Sequence, residues 1–150
     1  MIEPGRTDDA ARVADLWVEL GTDQLGHDSH LLPEANREHV RESVLRHAVA
    51  GTLFVARADG EIVGFVTCSV ESGGYEQDVT RGLVENLYVV PRHRDAGVGA
   101  ALLERAEAEL GERGCTVVAL DVMATNSDAK RFYERHGYDP HRVELEKELD

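Results

Sequence analysis

The sequence is short of several residue types, and each shortage excludes a class of protein. Its 150 residues include two cysteines, Cys68 and Cys115, and no CxxC pair. Neither a disulfide framework nor a cysteine-rich zinc site is therefore expected. Only four residues are proline, and no linker rich in proline, glycine or serine divides the chain. We expect one domain over residues 1–150, with reduced thiols.

Long apolar segments are also missing. No run approaches the ~20 residues that a membrane-spanning helix needs. The amino terminus has neither the basic region nor the apolar region of a secretory signal. These features predict a cytoplasmic protein that does not interact with membranes.

Basic residues are scarce relative to acidic ones. The chain has 29 Asp and Glu against 16 Lys and Arg, for a net charge of -13, and only Lys130 and Lys147 are lysines. Nucleic-acid-binding domains usually carry a basic patch, so that class is disfavoured. The acidity either attracts a cationic substrate or keeps the surface solvated in a salt-rich cytoplasm. Because acids occur in every segment of the chain, we favour the second, halophilic interpretation.

The chain does contain a clear order of helices and strands. Apolar residues recur at helical spacing after Asp9, Gly21 is expected to end this first helix, and residues 22–32 are expected to form a loop. Pro33 suits the first turn of a second helix that continues to Gly51. The later patterns predict strands at 52–57, 62–70, 82–90, 117–122 and 142–149, and helices at 98–113 and 126–136.

This order predicts an α/β fold with a mixed sheet. A hairpin turn at 58–61 makes its flanking strands antiparallel, whereas the helix at 98–113 connects two parallel strands. We expect a mixed, mostly antiparallel sheet with helices on both faces. Alternation along strand 82–90 predicts that one face carries Glu85, Leu87 and Val89 and the other carries Val84, Asn86 and Tyr88.

The most informative segment joins strand 82–90 to the helix that follows. Over residues 89–100 it reads VVPRHRDAGVGA. Main-chain N–H groups at the start of a helix have no partner within the helix, and with the helix dipole they form an anion site. Gly97 and Gly99 let a ligand approach the main chain closely, and Arg94 adds a cation. The segment indicates a site for phosphate or pyrophosphate.

Two common phosphate-binding motifs do not fit this segment. A P-loop is excluded because no Gly-Lys-Ser/Thr follows the glycines. A dinucleotide-binding fold is disfavoured because a hairpin precedes the motif and the motif falls late in the chain. On this segment alone, the alternative to a phosphate site remains a tight turn into the helix that binds no ligand.

Two segments in order resemble the GNAT superfamily of N-acetyltransferases. The run Val90-Pro91-x-x-Arg94-x-x-Gly97-x-Gly99, followed by Ala-Leu-Leu, is similar to the family's acetyl-CoA pyrophosphate motif. Residues 126–138 are similar to its N-x-x-A-x-x-F-Y-x-x-x-G-[FY] segment, and residues 54–65 to its central hairpin. The resemblance covers roughly residues 1–149 and is specific from about 52 to 138. It implies a GNAT-like mixed, mostly antiparallel sheet of six to seven strands with helices on both faces. Asp95 departs from the pattern, since the family most often has glycine there, and an acid at this point should weaken pyrophosphate binding.

The resemblance implies acetyl transfer from acetyl-CoA to a primary amine of a small molecule or peptide, by direct attack, without an acyl-enzyme and without a metal. It implies that Tyr133 protonates the leaving thiolate, and that Glu85 accepts a proton directly or through water, with Asp121 as its rival. It also implies a set of residues in contact with the cofactor: Leu87, Val89, Arg94, Asp95, Ala96, Gly97, Val98, Gly99, Ala100, Asn126, Ala129 and Tyr133.

Several alternatives stay open at this stage. Tyr133 could simply pack against the sheet, Glu85 could be an ordinary strand charge, and the domain could bind acyl-CoA as a regulatory module without turnover. The seven histidines lack zinc-site spacing, and no GxSxG supports a hydrolase. The acceptor could be a small amine, a polyamine, an aminoglycoside-like compound or a peptide amino terminus. The last strand could pair with a second copy, which makes a homodimer plausible.

Overall fold

The computed structural model describes residues 1–150 and contains four α-helices and five β-strands. The helices are α1 (Ala10–Leu25), α2 (Arg37–Ala50), α3 (Val98–Glu112) and α4 (Ser127–Arg135). The strands are β1 (Ile2–Pro4), β2 (Leu53–Ala58), β3 (Glu61–Val70), β4 (Arg81–Val89) and β5 (Val117–Ala119). They form one sheet in the order β1-β2-β3-β4-β5, antiparallel as far as β4, with β5 parallel to β4.

The predicted mixed sheet is confirmed, but it has five strands where six to seven were expected. Residues 142–149 form no strand, and every residue from 139 to 150 is exposed. The apolar and polar residues of this tail do alternate, but no sheet edge pairs with it, so no strand forms. Its apolar side chains Val143, Leu145 and Leu149 remain at least 76% exposed. Strand β1 was not expected, since three residues are too few to show a period.

The first helix is longer than predicted. Gly21 does not end it but lies buried inside it, and α1 continues to Leu25, so four residues of the expected 22–32 loop are helical. A Cβ at position 21 would lie 3.0 Å from Cγ of Pro33. The glycine therefore serves close packing against the start of the second helical segment, a use that sequence spacing does not distinguish from a helix stop.

The core lies on both faces of the sheet. Helices α1 and α2 cover one face, where the Trp17 indole N–H donates to Oδ1 of Asn86 on β4. Helix α3 covers the other face, where a Cβ at Gly64 or Gly82 would run into Leu102 or Leu110. We call these the α1/α2 face and the α3 face. Apolar side chains at helical spacing bury α3 against the sheet: Leu102, Leu103, Ala106 and Leu110.

No residue beyond Leu110 is buried. Residues 117–122 were predicted to be a buried strand, but β5 spans only Val117–Ala119 and Val117 is 39% exposed. The reason is positional, because β5 is the last strand of the sheet and has a neighbour on one side only. None of the helices combines the length and the hydrophobicity needed to cross a membrane.

Candidate active site

Strands β4 and β5 separate part-way along their length. Arg81, Gly82 and Leu83 pair with Val117, Val118 and Ala119, and the pairing then stops although β4 continues to Val89. The edge of β4 beyond Leu83 therefore faces a gap, which we call the β4–β5 gap.

The main-chain groups of two β4 residues, Leu87 and Val89, point into this gap. The Val90 N–H donates to the Val63 carbonyl at 2.9 Å, and hydrogen-bonded pairs recur every second residue of an antiparallel ladder. The N–H groups of Leu87 and Val89 therefore point away from β3 and towards the gap. The Val89 carbonyl also points that way, but it accepts a hydrogen bond from Nε of Arg94 at 2.8 Å. The Leu87 main chain and the Val89 N–H remain as open polar groups.

The bend between β4 and α3 presents a row of unpaired donors. A short 3-10 turn at Pro91–His93 leads to Asp95 and Gly97, both with positive φ, at 61° and 83°. None of the six main-chain N–H groups from residue 95 to residue 100 donates a hydrogen bond within the protein, and no side chain caps α3. Such a concentration of oriented donors at a helix N-terminus suits an anion.

The side chain of Arg94 contacts β4 and α1. Its Nε donates to the Val89 carbonyl, its guanidinium lies 5.3 Å from the centre of the Tyr88 ring, and an Nη lies 3.4 Å from Oδ2 of Asp23. These contacts tie the bend to β4 and α1. A contact of Arg94 with the phosphates of the cofactor stays a prediction.

Helix α4 lies beside the bend. The predicted cap is confirmed, because Oδ1 of Asn126 accepts a hydrogen bond from the Ala129 N–H at 3.1 Å. A Cβ at Gly99 would lie 3.5 Å from the ring of Phe132, so α4 contacts the first turn of α3. The arrangement brings Asn126, Ala129 and the bend to the same side of the sheet.

Tyr133 packs among aromatic rings and leaves its hydroxyl without a hydrogen-bond partner. Its ring packs edge-on against the rings of Phe132 and Tyr138, with distances between ring centres of 5.1 Å and 5.8 Å. Burial raises the pKa of Tyr133 to about 12, and its hydroxyl has no hydrogen-bond partner in the protein. The phenol is therefore packed, neutral over the physiological range, and able to donate a proton or a hydrogen bond to a ligand.

A β-bulge in β4 corrects the predicted alternation. Asn86 pairs with Thr67, but the next residue of β3, Cys68, pairs with Val84, so Glu85 is an extra residue. Side chains before and after such an insertion lose their alternation. Leu87, Val89 and Val84 lie on the α3 face, whereas Glu85 lies on the α1/α2 face with Asn86 and Tyr88. The expectation that Glu85 shares a face with Leu87 and Val89 is wrong.

Glu85 lines an open depression of about 400 Å³ on the α1/α2 face. Its Oε2 lies 3.8 Å from Nε2 of His47 in the last turn of α2. Its rival Asp121 lies beyond the end of β5 and is exposed, without a hydrogen-bond or ion-pair partner. Sequence reasoning missed His47, because it is one of seven histidines and no motif marks it.

Metal-binding residues do not gather anywhere in the chain, since no group of three or more His, Cys, Asp or Glu side chains is placed to hold an ion. Of the two thiols, Cys68 is fully buried and Cys115 partly buried. Burial raises the pKa of the Cys68 thiol to about 11. Cys68 is therefore unsuited to nucleophilic catalysis.

Comparison with known proteins decides the family. The model of the acetyltransferase (GNAT) family matches residues 15–138. The chain belongs to this family and is an acetyltransferase. Among the relatives of this GNAT acetyltransferase, an aminoglycoside N(6')-acetyltransferase type 1 of Klebsiella aerogenes is 35% identical over 144 residues, which cover 92% of this chain and 88% of that protein.

A second relative matches a shorter segment. An uncharacterized N-acetyltransferase of Archaeoglobus fulgidus is 40% identical over 81 residues, which cover 54% of this chain and 55% of that protein. The match thus spans about half the length of that relative.

Solved structures share the GNAT acetyltransferase fold. A GCN5-related N-acetyltransferase from Ralstonia eutropha JMP134 is 27% identical, with a TM-score of 0.79 over 99% of this chain and 97% of that one. A PaiA N-acetyltransferase from Thermoplasma acidophilum, solved in complex with coenzyme A, is 21% identical, with a TM-score of 0.80 over 96% of this chain and 92% of that one.

Proposed function

We propose that this acetyltransferase transfers the acetyl group of acetyl-CoA to a primary amine of a small molecule or peptide. The observation that carries the proposal is the row of six unpaired N–H groups at residues 95–100, beside a strand edge that opens at Leu83. Together they match an elongated ligand with a diphosphate at one end and a thioester at the other.

The ligand would run from the bend down the β4–β5 gap. Its diphosphate would accept hydrogen bonds from the 95–100 amides, with Asn126 and Ala129 at the flank. The pantetheine arm would lie against the open groups of Leu87 and the Val89 N–H. One of these N–H groups would then polarise the thioester carbonyl and stabilise the oxyanion that develops there.

Glu85 would accept a proton from the amine, and Tyr133 would act as the donor to the leaving thiolate. An alkyl ammonium has a reference pKa of ~10.4, so a carboxylate such as Glu85 must help to remove a proton before the nitrogen can attack. Tyr133 would donate to the leaving thiolate. Because its pKa is about 12, against ~8.5 for a reference thiol, its main contribution would be a hydrogen bond. Burial would also raise the pKa of the CoA thiol, which would reduce the difference between its pKa and that of Tyr133.

Attack on the thioester would be direct, without an acyl-enzyme. A covalent route needs an activated thiol or hydroxyl near the thioester. Cys68 is fully buried with a raised pKa, and the depression beside Glu85 offers no paired serine and base. Its hydroxyl side chains are Ser43, Thr52 and Ser69, and only Thr52 contacts the histidine there.

An amine panel with acetyl-CoA, followed by free-thiol release at low and at multimolar salt, tests the proposal. Because the Klebsiella aerogenes relative is named as an aminoglycoside acetyltransferase, the panel should contain an aminoglycoside beside a polyamine, an amino acid and a short peptide. Amine-dependent thiol release supports the proposal. Acetyl-CoA binding without release for any amine would instead support a regulatory acyl-CoA-binding module. Higher rates in multimolar salt would support the halophilic interpretation of the net charge.

A homodimer formed through the carboxyl-terminal tail stays a prediction. The tail is exposed, and its sequence keeps strand-like alternation. Light scattering on the full chain and on a variant with Val143 and Leu145 changed to Ser tests it. A dimer that the double variant also forms would assign the contact to another surface.

A further inference from the structure

His47 on α2 is hydrogen-bonded through its ring to its neighbour Thr52. Its Nδ1 lies 2.7 Å from Oγ1 of Thr52, and that hydroxyl lies 3.4 Å from the His47 carbonyl oxygen. A hydroxyl donates only one proton. When Thr52 donates it to the carbonyl, Oγ1 accepts from Nδ1–H, and Nε2 retains its lone pair. The lone pair of Nε2 then faces Glu85.

In that tautomer the two facing atoms, Nε2 of His47 and Oε2 of Glu85, are both acceptors. Nε2 of His47 lies 3.8 Å from Oε2 of Glu85, which is too long for a hydrogen bond between them. A primary ammonium about 2.9 Å from each atom can donate one N–H to each. Both side chains line the same open depression, so an amine can reach this point from solvent.

The surroundings favour the neutral imidazole. The side chain of His47 is only 14% exposed, and burial lowers its pKa, with the charge of Arg46 acting in the same direction. Glu85 on β4 and the main chain of Cys68 on β3 oppose that shift but do not reverse it. From the end of α3, Arg113 also lines the depression. A neutral imidazole is a proton acceptor near neutral pH.

The reaction removes two protons from the nitrogen. An ammonium that becomes an amide loses two protons from its nitrogen. The first leaves before the nitrogen attacks the thioester carbon, and the second leaves after the C–N bond has formed. The C–S bond breaks with its electron pair on sulfur, and the thiolate then takes one proton. The second proton leaves to solvent, so Glu85 alone would have to act twice.

We infer that His47 is a second proton acceptor beside Glu85, and that the two side chains together bind the acceptor's ammonium group. The inference deepens the proposed function and rests on it. Glu85 and His47 come from different elements, β4 and α2, and the bulge in β4 is what brings them to the same face. His47 would thus be a catalytic residue outside the family's sequence motifs.

The test compares His47→Gln with His39→Gln, a change on the same helix at an exposed histidine. Using the best amine from the panel, kcat/KM is measured from pH 5 to 10, together with the Kd for CoA. For the wild type, activity should persist below the reference imidazole pKa of ~6.5 and fall as the pH drops through the lowered pKa of His47. His47→Gln should lose at least about tenfold in kcat/KM at pH 8, in the range typical of proton-transfer groups, with CoA affinity unchanged.

Each outcome separates this inference from the proposed function. Absence of turnover in the wild type with every amine overturns the proposed function itself. Turnover in the wild type with the same rate and pH profile in His47→Gln as in His39→Gln overturns only the role of His47. If His47→Gln does not fold, Thr52→Val decides, because it keeps the imidazole but removes the partner of Nδ1. If the acidic limb of the kcat/KM–pH profile shifts in Thr52→Val, the result supports His47 as a proton acceptor. If that limb does not shift, the result contradicts this role.

Discussion

The first 110 residues and the last 40 are packed very differently. The first part contains every buried residue of the chain, including fully enclosed side chains such as Leu53, Phe65 and Leu102. The last part contains β5, α4 and the tail, and none of its residues is buried. The β4–β5 gap lies on the boundary between them.

The difference teaches where stability and ligand binding reside. The last part is attached to the first by the short pairing of β5 with β4, by the contact of Phe132 with Gly99, and by a 2.6 Å hydrogen bond from the Tyr138 hydroxyl to Glu107. With few buried contacts, a segment opens at low free energy. We expect the first part to determine the free energy of unfolding, and acetyl-CoA to order the second.

The largest effect should come from truncating a core side chain. Phe65→Ala should lower the free energy of unfolding by about 3–5 kcal/mol, because Phe65 is fully buried and its removal leaves a cavity. Val143→Ala, at a position 76% exposed, should change it by less than about 0.5 kcal/mol. Urea denaturation measures both. Comparable losses in the two variants would abolish the contrast between the two parts.

Ligand binding should strengthen the weaker part. Acetyl-CoA at about 100 times its Kd should raise the free energy of unfolding by about 2.7 kcal/mol. Hydrogen exchange should slow most at residues 95–100 and in α4. Gly97→Val should abolish both effects, because a β-branched residue is strained at φ 83°. Gly111→Ala on the open side of α3 is the matched control, and equal ligand protection in both variants would place the diphosphate elsewhere.

Tyr133→Phe should separate binding from catalysis. We expect kcat to fall about tenfold to a hundredfold, ~1.4–2.7 kcal/mol in the barrier, with the Kd for CoA unchanged, because only the hydroxyl is removed. Burial raises the pKa of Tyr133 to about 12, above its unfolded value of ~10. The phenol therefore stays protonated through pH 10, and its contribution to stability is lost as the pH rises from about 10 to about 12. The control is Tyr75→Phe at a position 95% exposed, and equal rates in the two variants would remove Tyr133 from the mechanism.

Asp95→Gly should give the smallest effect. Asp95 has φ 61°, so glycine should stabilise the bend by at most about 1 kcal/mol. Removing its charge should also tighten CoA binding a few-fold, and less so in multimolar salt. Asp59→Gly, at φ 52° in the β2–β3 turn, should stabilise similarly without changing the affinity. Unchanged CoA binding in Asp95→Gly would show that the acid does not oppose the diphosphate.

The same boundary separates what the sequence predicted well from what it did not. Local signals located α3, the hairpin turn and the Asn126 cap, because helix ends and turns are decided by neighbouring residues. The alternation at 142–149 predicted a strand that does not form, since pairing needs a partner that no local pattern specifies. Gly21 was misread for a related reason, because close packing on Pro33 involves a residue twelve positions away.

The candidate site was predicted in part. The glycine bend and Tyr133 are located by motifs. The face of Glu85 and the identity of its neighbour were not foreseen, because a bulge is visible only when two strands are paired. His47 lies 38 residues from Glu85 in the printed sequence, and only the packing of α2 on the sheet brings them together.

The bulge also makes strand β4 sensitive to length as well as to side chains. A chain lacking Val84 would pair β4 with β3 without interruption, and Glu85 would then stand opposite Cys68, among apolar residues beneath α3. An unpaired carboxylate there would lose its hydration and destabilise the fold. Glu85 can therefore lie beside the β4–β5 gap without entering the apolar core only because β4 has one residue more than the paired segment of β3.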